Sequence, residues 1–150
     1  MRLQPAAKAE RPPDHRLAVR VYYEDTDAAG IVYYANYLKF AERGRTEMMR
    51  ALGAEPSTWR EETGLFFVVQ RCHADYRQPA RLDDDIEVRT FITRVGAASL
   101  SARQEVHRGD TLLVSMEVRL AMVDHEMKPA RLPKALIAAL TPQYEAGNDA

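Results

Sequence analysis

The chain has 150 residues, with 21 basic and 22 acidic side chains and a formal net charge of −1. This length favours one domain, and a hydrophobic fraction of 46% is too high for a disordered chain. The net charge neither demands nor excludes a nucleic acid partner, and no apolar stretch is long enough to span a membrane. A single cysteine, Cys72, excludes an internal disulfide and favours a cytoplasmic protein.

The first segment, residues 1–14, is polar and proline-rich and is predicted to be a disordered leader without the apolar run of a signal peptide. From Leu17, apolar and polar side chains alternate, which predicts a first strand as far as about Tyr23. The folded domain is predicted to span residues 15–141, and residues 142–150 are predicted to form a flexible tail.

An acidic loop follows the first strand. It holds three carboxylates within four positions, at Glu24, Asp25 and Asp27, and continues through small residues to Gly30. Apolar side chains at a spacing of 3.6 then predict a helix over about 35–52, ended by Gly53. Gly44 on the apolar face of this helix predicts the close approach of another backbone. The loop therefore lies between a strand end and a helix N-terminus, where backbone N–H groups are unpaired.

Four further strands are predicted from alternating patterns at about 65–76, 86–93, 99–106 and 112–122. Short turns between them indicate a meander, and Pro133 begins a short helix at Lys134–Leu140. The element order predicts an α+β fold in which an antiparallel sheet of about five strands wraps around one long central helix. The opposite face of the sheet is polar enough for solvent and is also compatible with a subunit contact.

The acidic loop is the candidate reaction centre. A carboxylate there could act as a general base for water or as a nucleophile toward an acyl carbon. Helix N–H groups at Tyr34 or its neighbours could hold a developing oxyanion. Two alternatives stay open: Asp25 and Asp27 merely cap the helix, or the carboxylates bind a hard cation. The spacing lacks the ligand alternation of an EF-hand, and neither a phosphate-binding glycine loop nor a Gly-x-Ser-x-Gly elbow is present.

Other residues carry weaker signals. Arg71, Arg77 and Arg81 could pair with phosphates, although ordinary surface charge is the simpler interpretation of each. Trp59 and the run Leu65–Phe67 could line an apolar slot for an acyl or aryl group, but core packing is favoured for Phe66 and Phe67. Cys72 is expected to be a buried small hydrophobe.

The longest motif resembles a known family. VYYEDTDAAGIVYYANY at Val21–Tyr37, followed by FAERGRTE at Phe40–Glu47, closely resembles the hotdog-fold acyl-CoA thioesterases. It is most similar to the Tol-Pal-associated (YbgC-type) branch of the 4-hydroxybenzoyl-CoA thioesterase family. The similarity continues through Cys72–Asp84 and covers about residues 16–140. The strand, long helix and four-strand order predicted above is also the hotdog order.

The resemblance implies hydrolysis of short- to medium-chain or aryl acyl-CoA without a metal or cofactor, coenzyme A being part of the substrate. The catalytic carboxylate of the family falls on Asp27, as nucleophile or general base. Tyr34 falls at the helix start, where its backbone N–H would polarise the thioester carbonyl; many members of this branch carry histidine there. Tyr23 matches a tyrosine near the active site, and Asn36, with Gly30, belongs to the loop motif.

In this family the site lies between two subunits, so the resemblance implies a homodimer or homotetramer. Coenzyme A phosphates would meet Arg71, Arg77 or Arg81. An acyl carrier protein is a further candidate partner, whereas no nucleic acid partner or membrane insertion is expected. Two rival functions remain: a hydratase, for which the loop lacks a histidine at Val32 and Tyr34, and a non-catalytic or carrier-protein-directed acyl-thioester binding module linked to the cell envelope.

Overall fold

The computed structural model describes residues 11–140 and shows the predicted α+β architecture. Residues 1–10 of the predicted leader and the predicted tail lie outside the described residues. The strands and helices are β1 (His15–Arg20), α1 (Asn36–Ala51), α2 (Pro56–Thr63), β2 (Phe66–Tyr76), β3 (Asp85–Val95), β4 (Ser99–Arg108), β5 (Thr111–Val123) and α3 (134–140). Within the described residues, none of the helices has the length and apolar content needed to cross a membrane.

The five strands form one antiparallel sheet in the order β1-β3-β4-β5-β2. The predicted four-strand meander is therefore wrong at its first step, because β2 pairs with β5 and not with β3. The physical reason is the connection 77–84, which is too long for a tight hairpin turn and forms hydrogen bonds of its own. As a result, β2 and β1 are the two edge strands of the sheet.

Helix α1 packs across one face of the sheet and supplies much of the core. Its buried face includes Tyr37, Phe40 and Met48, which join buried side chains of the three central strands. At Gly44, a Cβ atom would lie 2.9 Å from Val88 Cγ1 and 3.2 Å from Gln104 Nε2. The close approach predicted at this glycine is real, but the approaching atoms belong to side chains of the sheet and not to a backbone.

A buried polar cluster lies beneath α1. Gln104 is fully buried, and its Nε2 donates to the Ala41 carbonyl at 2.9 Å and to Thr90 Oγ1 at 3.0 Å. Arg45 Nη1 donates to Gln104 Oε1 at 2.9 Å. Burial lowers the pKa of Arg45, an effect that the nearby Glu42 carboxylate opposes. The cluster satisfies every polar group of the Gln104 amide and fixes how α1 lies on the sheet.

The edges of two predicted segments differ in the structure. Asp14 joins β3, because its N–H donates to Thr90 O at 2.8 Å and its Oδ2 accepts the Ile92 N–H at 2.6 Å. Residues 11–14, predicted as the end of the leader, thus belong with the sheet. Strand β1 ends at Arg20, short of the predicted Tyr23, because a 3₁₀ turn at Tyr23–Asp25 follows it.

The outer face of the sheet is less exposed than its polar composition indicated. Phe91 is buried because the Arg103 guanidinium lies over its ring, 4.4 Å from the ring centroid. Glu105 is also buried and pairs with Arg103 at 2.9 Å and with His107 Nε2 at 2.9 Å. Long charged side chains therefore cover this face within a single chain.

Candidate active site

Asp27 lies at the start of a tight hairpin turn. Its N–H donates to the Ile31 carbonyl at 2.9 Å, and its own carbonyl accepts the Gly30 N–H at 3.0 Å. Gly30 has φ = +78°, a conformation that favours glycine. The Asp27 carboxylate accepts the Ala29 N–H at 2.8 Å, and the side chain is exposed. The turn thus holds this carboxylate in a fixed direction, and its Oδ2 has no hydrogen-bond partner among residues 11–140.

The three carboxylates of the loop have different environments. Asp25 Oδ2 accepts the Tyr22 N–H at 2.9 Å and supports the 3₁₀ turn, whereas Glu24 is exposed. The N-cap of α1 is Ala35, and no side chain caps this helix. The interpretation of Asp25 and Asp27 as caps of the long helix is therefore wrong. Among the described residues, no three side chains of the metal-ligating types converge, so the loop carboxylates do not gather around one point.

Tyr34 lies in the turn immediately before α1. The Asn36 N–H bonds to the Tyr33 carbonyl at 2.8 Å, but the Tyr34 N–H has no acceptor among residues 11–140. The Tyr34 side chain is 61% exposed, and its ring lies 6.0 Å from that of Tyr76. Because α1 begins without a capping side chain, this end presents unpaired N–H groups and the positive end of the helix dipole.

Asn36 and Tyr23 have opposite environments, the first buried and the second exposed. Asn36 is buried, and its Nδ2 donates to the Asp25 carbonyl at 2.9 Å. The same carbonyl accepts the Tyr33 N–H at 2.9 Å, so Asn36 ties the loop to the start of α1. Tyr23 is 82% exposed, and its backbone carbonyl accepts the Thr26 hydroxyl at 2.9 Å and the Thr26 N–H at 3.1 Å.

A second segment, residues 79–84, supports the Asp27 hairpin and is called the brace here. The Val32 N–H donates to Ala80 O at 2.9 Å, and the Leu82 N–H donates to Gly30 O at 3.4 Å. The Asp83 N–H donates to Val21 O at 3.0 Å. The brace therefore bonds to the chain on both sides of the loop, at Val21 before the carboxylates and at Gly30 and Val32 after Asp27.

Hydrogen bonds of three side chains hold the brace in place. Arg108 Nη1 donates to Asp84 Oδ2 at 2.8 Å, and this oxygen also accepts the Arg81 N–H at 2.8 Å. Burial alone would raise the pKa of Asp84, but these hydrogen bonds and the Arg108 charge together lower it below its ordinary value. The Tyr37 hydroxyl accepts the Ala80 N–H at 2.9 Å. Burial raises the pKa of Tyr37, so it stays a neutral phenol.

The three candidate arginines are not brought together. Arg81 belongs to the brace and its backbone pairs with Ile31, beside Asp27. Arg77 follows β2, and its N–H donates to Leu113 O at 2.8 Å. Arg71 lies on the outer face of β2, where it lines a surface depression with Arg119 and His73. Only Arg81 and Arg77 lie on connections that lead to the reaction centre.

Aromatic residues after α1 line an apolar cavity at the margin of the core, and the core packing predicted for Phe67 is confirmed, because it packs against the core cluster together with Trp59. Trp59 stacks on Phe67 with ring centroids 6.5 Å apart and an interplanar angle of 10°, and both rings are half-buried. They line a cavity of about 230 Å³ between α1, α2 and β2. Cys72, expected to be buried, is exposed on the helix-facing side of β2, although partial burial raises the pKa of its thiol.

Residue patterns alone missed several residues around the site. Asp84 falls within the segment that resembles the family, but no local pattern assigns it a role. The sequence pattern placed Arg108 in a tight turn and Tyr76 at the end of a strand, with no further role for either. Their contacts with the brace and with Tyr34 depend on strand order, which residue patterns along the chain do not contain.

The fold and the loop together define a class of protein: the hotdog-fold thioesterases, with a sheet wrapped around one long helix and a loop carboxylate near the start of that helix. Residues 21–140 match the family model described as the thioesterase-like superfamily, and the chain belongs to that family. Within it, the chain is of the YbgC type.

Three relatives support this assignment. An acyl-CoA thioesterase YbgC from Haemophilus influenzae is 45% identical over 122 residues, covering 81% of this chain and 90% of the relative. An acyl-CoA thioester hydrolase YbgC from Escherichia coli O6:H1 is 46% identical over 125 residues, covering 82% and 92%. The crystal structure of a probable thioesterase from Bartonella henselae has a TM-score of 0.74 and 38% identity, covering 79% of this chain and 98% of that chain.

Proposed function

We propose that this protein hydrolyses the thioester of short- to medium-chain or aryl acyl-CoA, with Asp27 as the catalytic carboxylate. It is a thioester hydrolase of the acyl-CoA thioesterase class, as its YbgC relatives are. The observation that carries the proposal for Asp27 is geometric. An exposed carboxylate is oriented by its own turn, on the same loop that ends in the unbonded Tyr34 N–H at the start of α1.

The proposed chemistry uses groups of this chain without a metal or cofactor. Asp27 either takes a proton from water, so that hydroxide attacks the thioester carbon, or attacks that carbon itself to form an anhydride that water then cleaves. In both routes the Tyr34 N–H donates to the oxyanion, and the coenzyme A thiolate leaves and is protonated. Asn36 holds the loop, and Tyr23 is placed to contact the substrate from its exposed side.

We propose that the site is completed between two copies of the chain, in a homodimer or homotetramer. Five large side chains around the loop and the neighbouring edge strand are exposed: Tyr22, Tyr23, Tyr33, Tyr34 and Tyr76. An exposed apolar patch beside an unpaired strand edge is typical of a subunit contact. Light scattering tests this proposal, and a monomer that retains full turnover would contradict it.

The experiment that tests the function is the release of free thiol from a panel of acyl-CoAs, aliphatic from acetyl to hexadecanoyl and aryl. Asp27→Asn should lose at least about a hundredfold in rate, the scale of a lost base or nucleophile. Glu24→Gln, which changes an exposed neighbouring carboxylate, is the matched control and should stay within about twofold of the wild type.

Other outcomes would redirect the proposal. Near-native turnover by Asp27→Asn would remove Asp27 from the mechanism. Tight acyl-CoA binding without turnover by the wild type would favour a binding module linked to the cell envelope, and turnover of acyl carrier protein thioesters alone would favour that partner. Hydration of an enoyl-CoA would favour the hydratase.

Cell fractionation tests the cytoplasmic location that we propose with this substrate.

An isotope experiment compares the two possible roles of Asp27, general base and nucleophile. A single turnover in water enriched in ¹⁸O, followed by mass spectrometry of the peptide that holds Asp27, should leave the carboxylate unlabelled if Asp27 is a general base. Label in that peptide would show that an anhydride formed and that water attacked its aspartyl carbon. Label found only in the released acid agrees with the general base route and also with an anhydride that water attacks at its acyl carbon.

A further inference from the structure

Residues of α1 and of the edge strand β2 face each other from the Asp27 loop toward α2, and the space between the two elements is called the groove here. At one end, the rings of Tyr34 and Tyr76 lie 6.0 Å apart. Further along, Arg45 of α1 is close enough to Cys72 of β2 for the two groups to influence each other's charge. Val69, the next helix-facing residue before Cys72 on β2, lines the cavity with Arg45. The groove therefore connects the loop with the cavity under α2.

The spacing of the two elements agrees with a continuous groove. Arg45 lies nine residues beyond Asn36, which is about 13 Å along a helix that rises 1.5 Å per residue. Cys72 lies four residues before Tyr76, which is about 13 Å along a strand. The distance from the loop to the cavity mouth is therefore about the same along the helix as along the strand. Within one chain, Tyr76 and Val69 are about half exposed, at 46% and 53%, and so are not packed into the core.

The cavity at the end of the groove is mostly apolar. Its deeper walls are formed by Met48, Met49, Ala54, Trp59, Phe67 and Leu120. The stacked rings of Trp59 and Phe67 stand side by side in its wall. Its volume of about 230 Å³ is below the range of roughly 300–1,000 Å³ that holds whole small ligands. The cavity is thus large enough for only part of a substrate, an apolar part.

We propose that this cavity receives the distal end of an unbranched aliphatic acyl chain, and that Trp59 limits the chain length that the enzyme prefers. The inference rests on the proposed function, because the thioester carbon must lie at Asp27 for the chain to point along the groove. A short acyl group or a single aryl ring cannot reach a cavity that begins about 13 Å from the start of α1. A medium or long chain can reach the cavity, and the transfer of its apolar surface out of water favours binding there.

A binding experiment tests the occupant directly, because Trp59 is the one tryptophan of the chain. Asp27→Asn protein is titrated with 12-bromododecanoyl-CoA, whose terminal bromine quenches a tryptophan that it contacts. Saturable quenching is expected with this probe, and none with 4-bromobutanoyl-CoA or with unbrominated dodecanoyl-CoA. Equal quenching by the short and long brominated chains, or none by the long one at saturation, would overturn the proposal.

A kinetic experiment tests the role of the cavity in specificity. For the wild type, kcat/KM should rise about fourfold with each added methylene once the chain enters the cavity, which corresponds to about 0.8 kcal/mol per buried CH₂. Val69→Phe, at a half-exposed position where an aromatic suits a strand, should lower kcat/KM for dodecanoyl-CoA about tenfold and leave butanoyl-CoA within about twofold. His73→Phe, on the other face of the same strand, is the matched control and should change neither.

Widening the cavity gives the opposite result. Trp59→Ala should move the preferred chain to a longer one without changing turnover of butanoyl-CoA, whereas Thr58→Ala, at an exposed position of α2, should leave the profile unchanged. Turnover of all chain lengths with the same profile in every variant would refute this inference and leave the proposed function intact. No turnover by the wild type would refute the proposed function first. A loss of oligomer mass in Val69→Phe would show that a second copy fills the cavity and would also overturn the inference.

Discussion

The two ends of the groove along α1 are built in different ways. At the loop end, backbone hydrogen bonds of about 2.9 Å fix the chain around Asp27, and the reactive side chains are exposed. At the cavity end, the walls are apolar side chains that only pack together, including flexible methionines beside Trp59. Hydrogen bonds are directional, whereas apolar packing fixes volume and not orientation.

The difference indicates which property each end controls. A proton transfer or a nucleophilic attack requires positions held to within a fraction of an ångström, which the hydrogen-bonded loop can supply. Recognition of a hydrocarbon requires only a cavity of suitable shape that excludes water. Packed apolar walls can change shape at a small cost in stability. Changes at the loop end should therefore alter turnover, and changes at the cavity end should alter which thioester is turned over.

Among the changes that test this difference between the two ends, Asp84→Asn is expected to have the largest effect, on kcat. The change weakens the hydrogen bond from Arg108 and loosens the brace behind the Asp27 hairpin, so kcat should fall about tenfold to a hundredfold with KM within about threefold. Steady-state kinetics on one good acyl-CoA measures both values. Because the brace acts through the hairpin, Asp84→Glu should recover part of kcat.

The matched control for the brace is Asp85→Asn, which changes the next residue, an exposed carboxylate paired with Arg20. It should leave kcat within about twofold. If Asp84→Asn lowered the melting temperature and left kcat per folded protein unchanged, the brace would hold the fold only and would not position Asp27.

A smaller effect, on stability and not on turnover, is expected from Gly44→Ala. The new Cβ would lie 2.9 Å from Val88 Cγ1 and 3.2 Å from Gln104 Nε2, so α1 must shift on the sheet. The free energy of unfolding in urea should fall by about 1–3 kcal/mol, partly offset by the better helix propensity of alanine. Lys39→Ala, on the exposed side of α1, is the control and should change it by less than about 0.5 kcal/mol. A Gly44→Ala protein as stable as the wild type would mean that the helix has room to move.

A several-fold effect is expected from Arg81→Ala, if this arginine of the brace meets the coenzyme A phosphates. KM for acyl-CoA should rise about threefold to tenfold, because an exposed charge-assisted contact is lost. KM for the matching acyl-pantetheine thioester, which lacks the nucleotide, should not change. Arg71→Ala, on the outer face of β2, provides the comparison, and an equal rise of KM in that variant would place the phosphates on the other side of the strand.

The smallest effect is a pH dependence that arises from Asp84. Because its pKa is lowered in the folded protein, its contribution to stability is complete above the unfolded pKa of about 3.9 and is lost as pH falls through the folded value. The difference in unfolding free energy between the wild type and Asp84→Asn should therefore be constant near neutral pH and shrink below about pH 4. Urea unfolding across that range measures it, and a difference that grows on acidification would contradict the sign.

The sequence by itself determined the α+β class, the long helix, its end at Gly53 and the loop with its three carboxylates. These depend on local features: hydrophobic period, a glycine with positive φ, and residues adjacent along the chain. The long motif also indicated the family, and with it Asp27, before any contact was known. Local pattern favoured core positions for Phe66 and Phe67, and Phe67 does pack against the core, but the hydrophobic period did not show that both residues also line a cavity.

Tertiary structure alone showed how the environments of the loop carboxylates differ and where a cavity lies. Asp25 and Asp27 are alike in the sequence, yet one holds a 3₁₀ turn while the other stands in a hairpin beside the helix start. The place of β2 beside β5, the bond from Arg108 to Asp84 and the groove from Tyr76 to Trp59 join residues that are distant along the chain. Such contacts depend on strand order and packing between elements, and local propensity does not encode them.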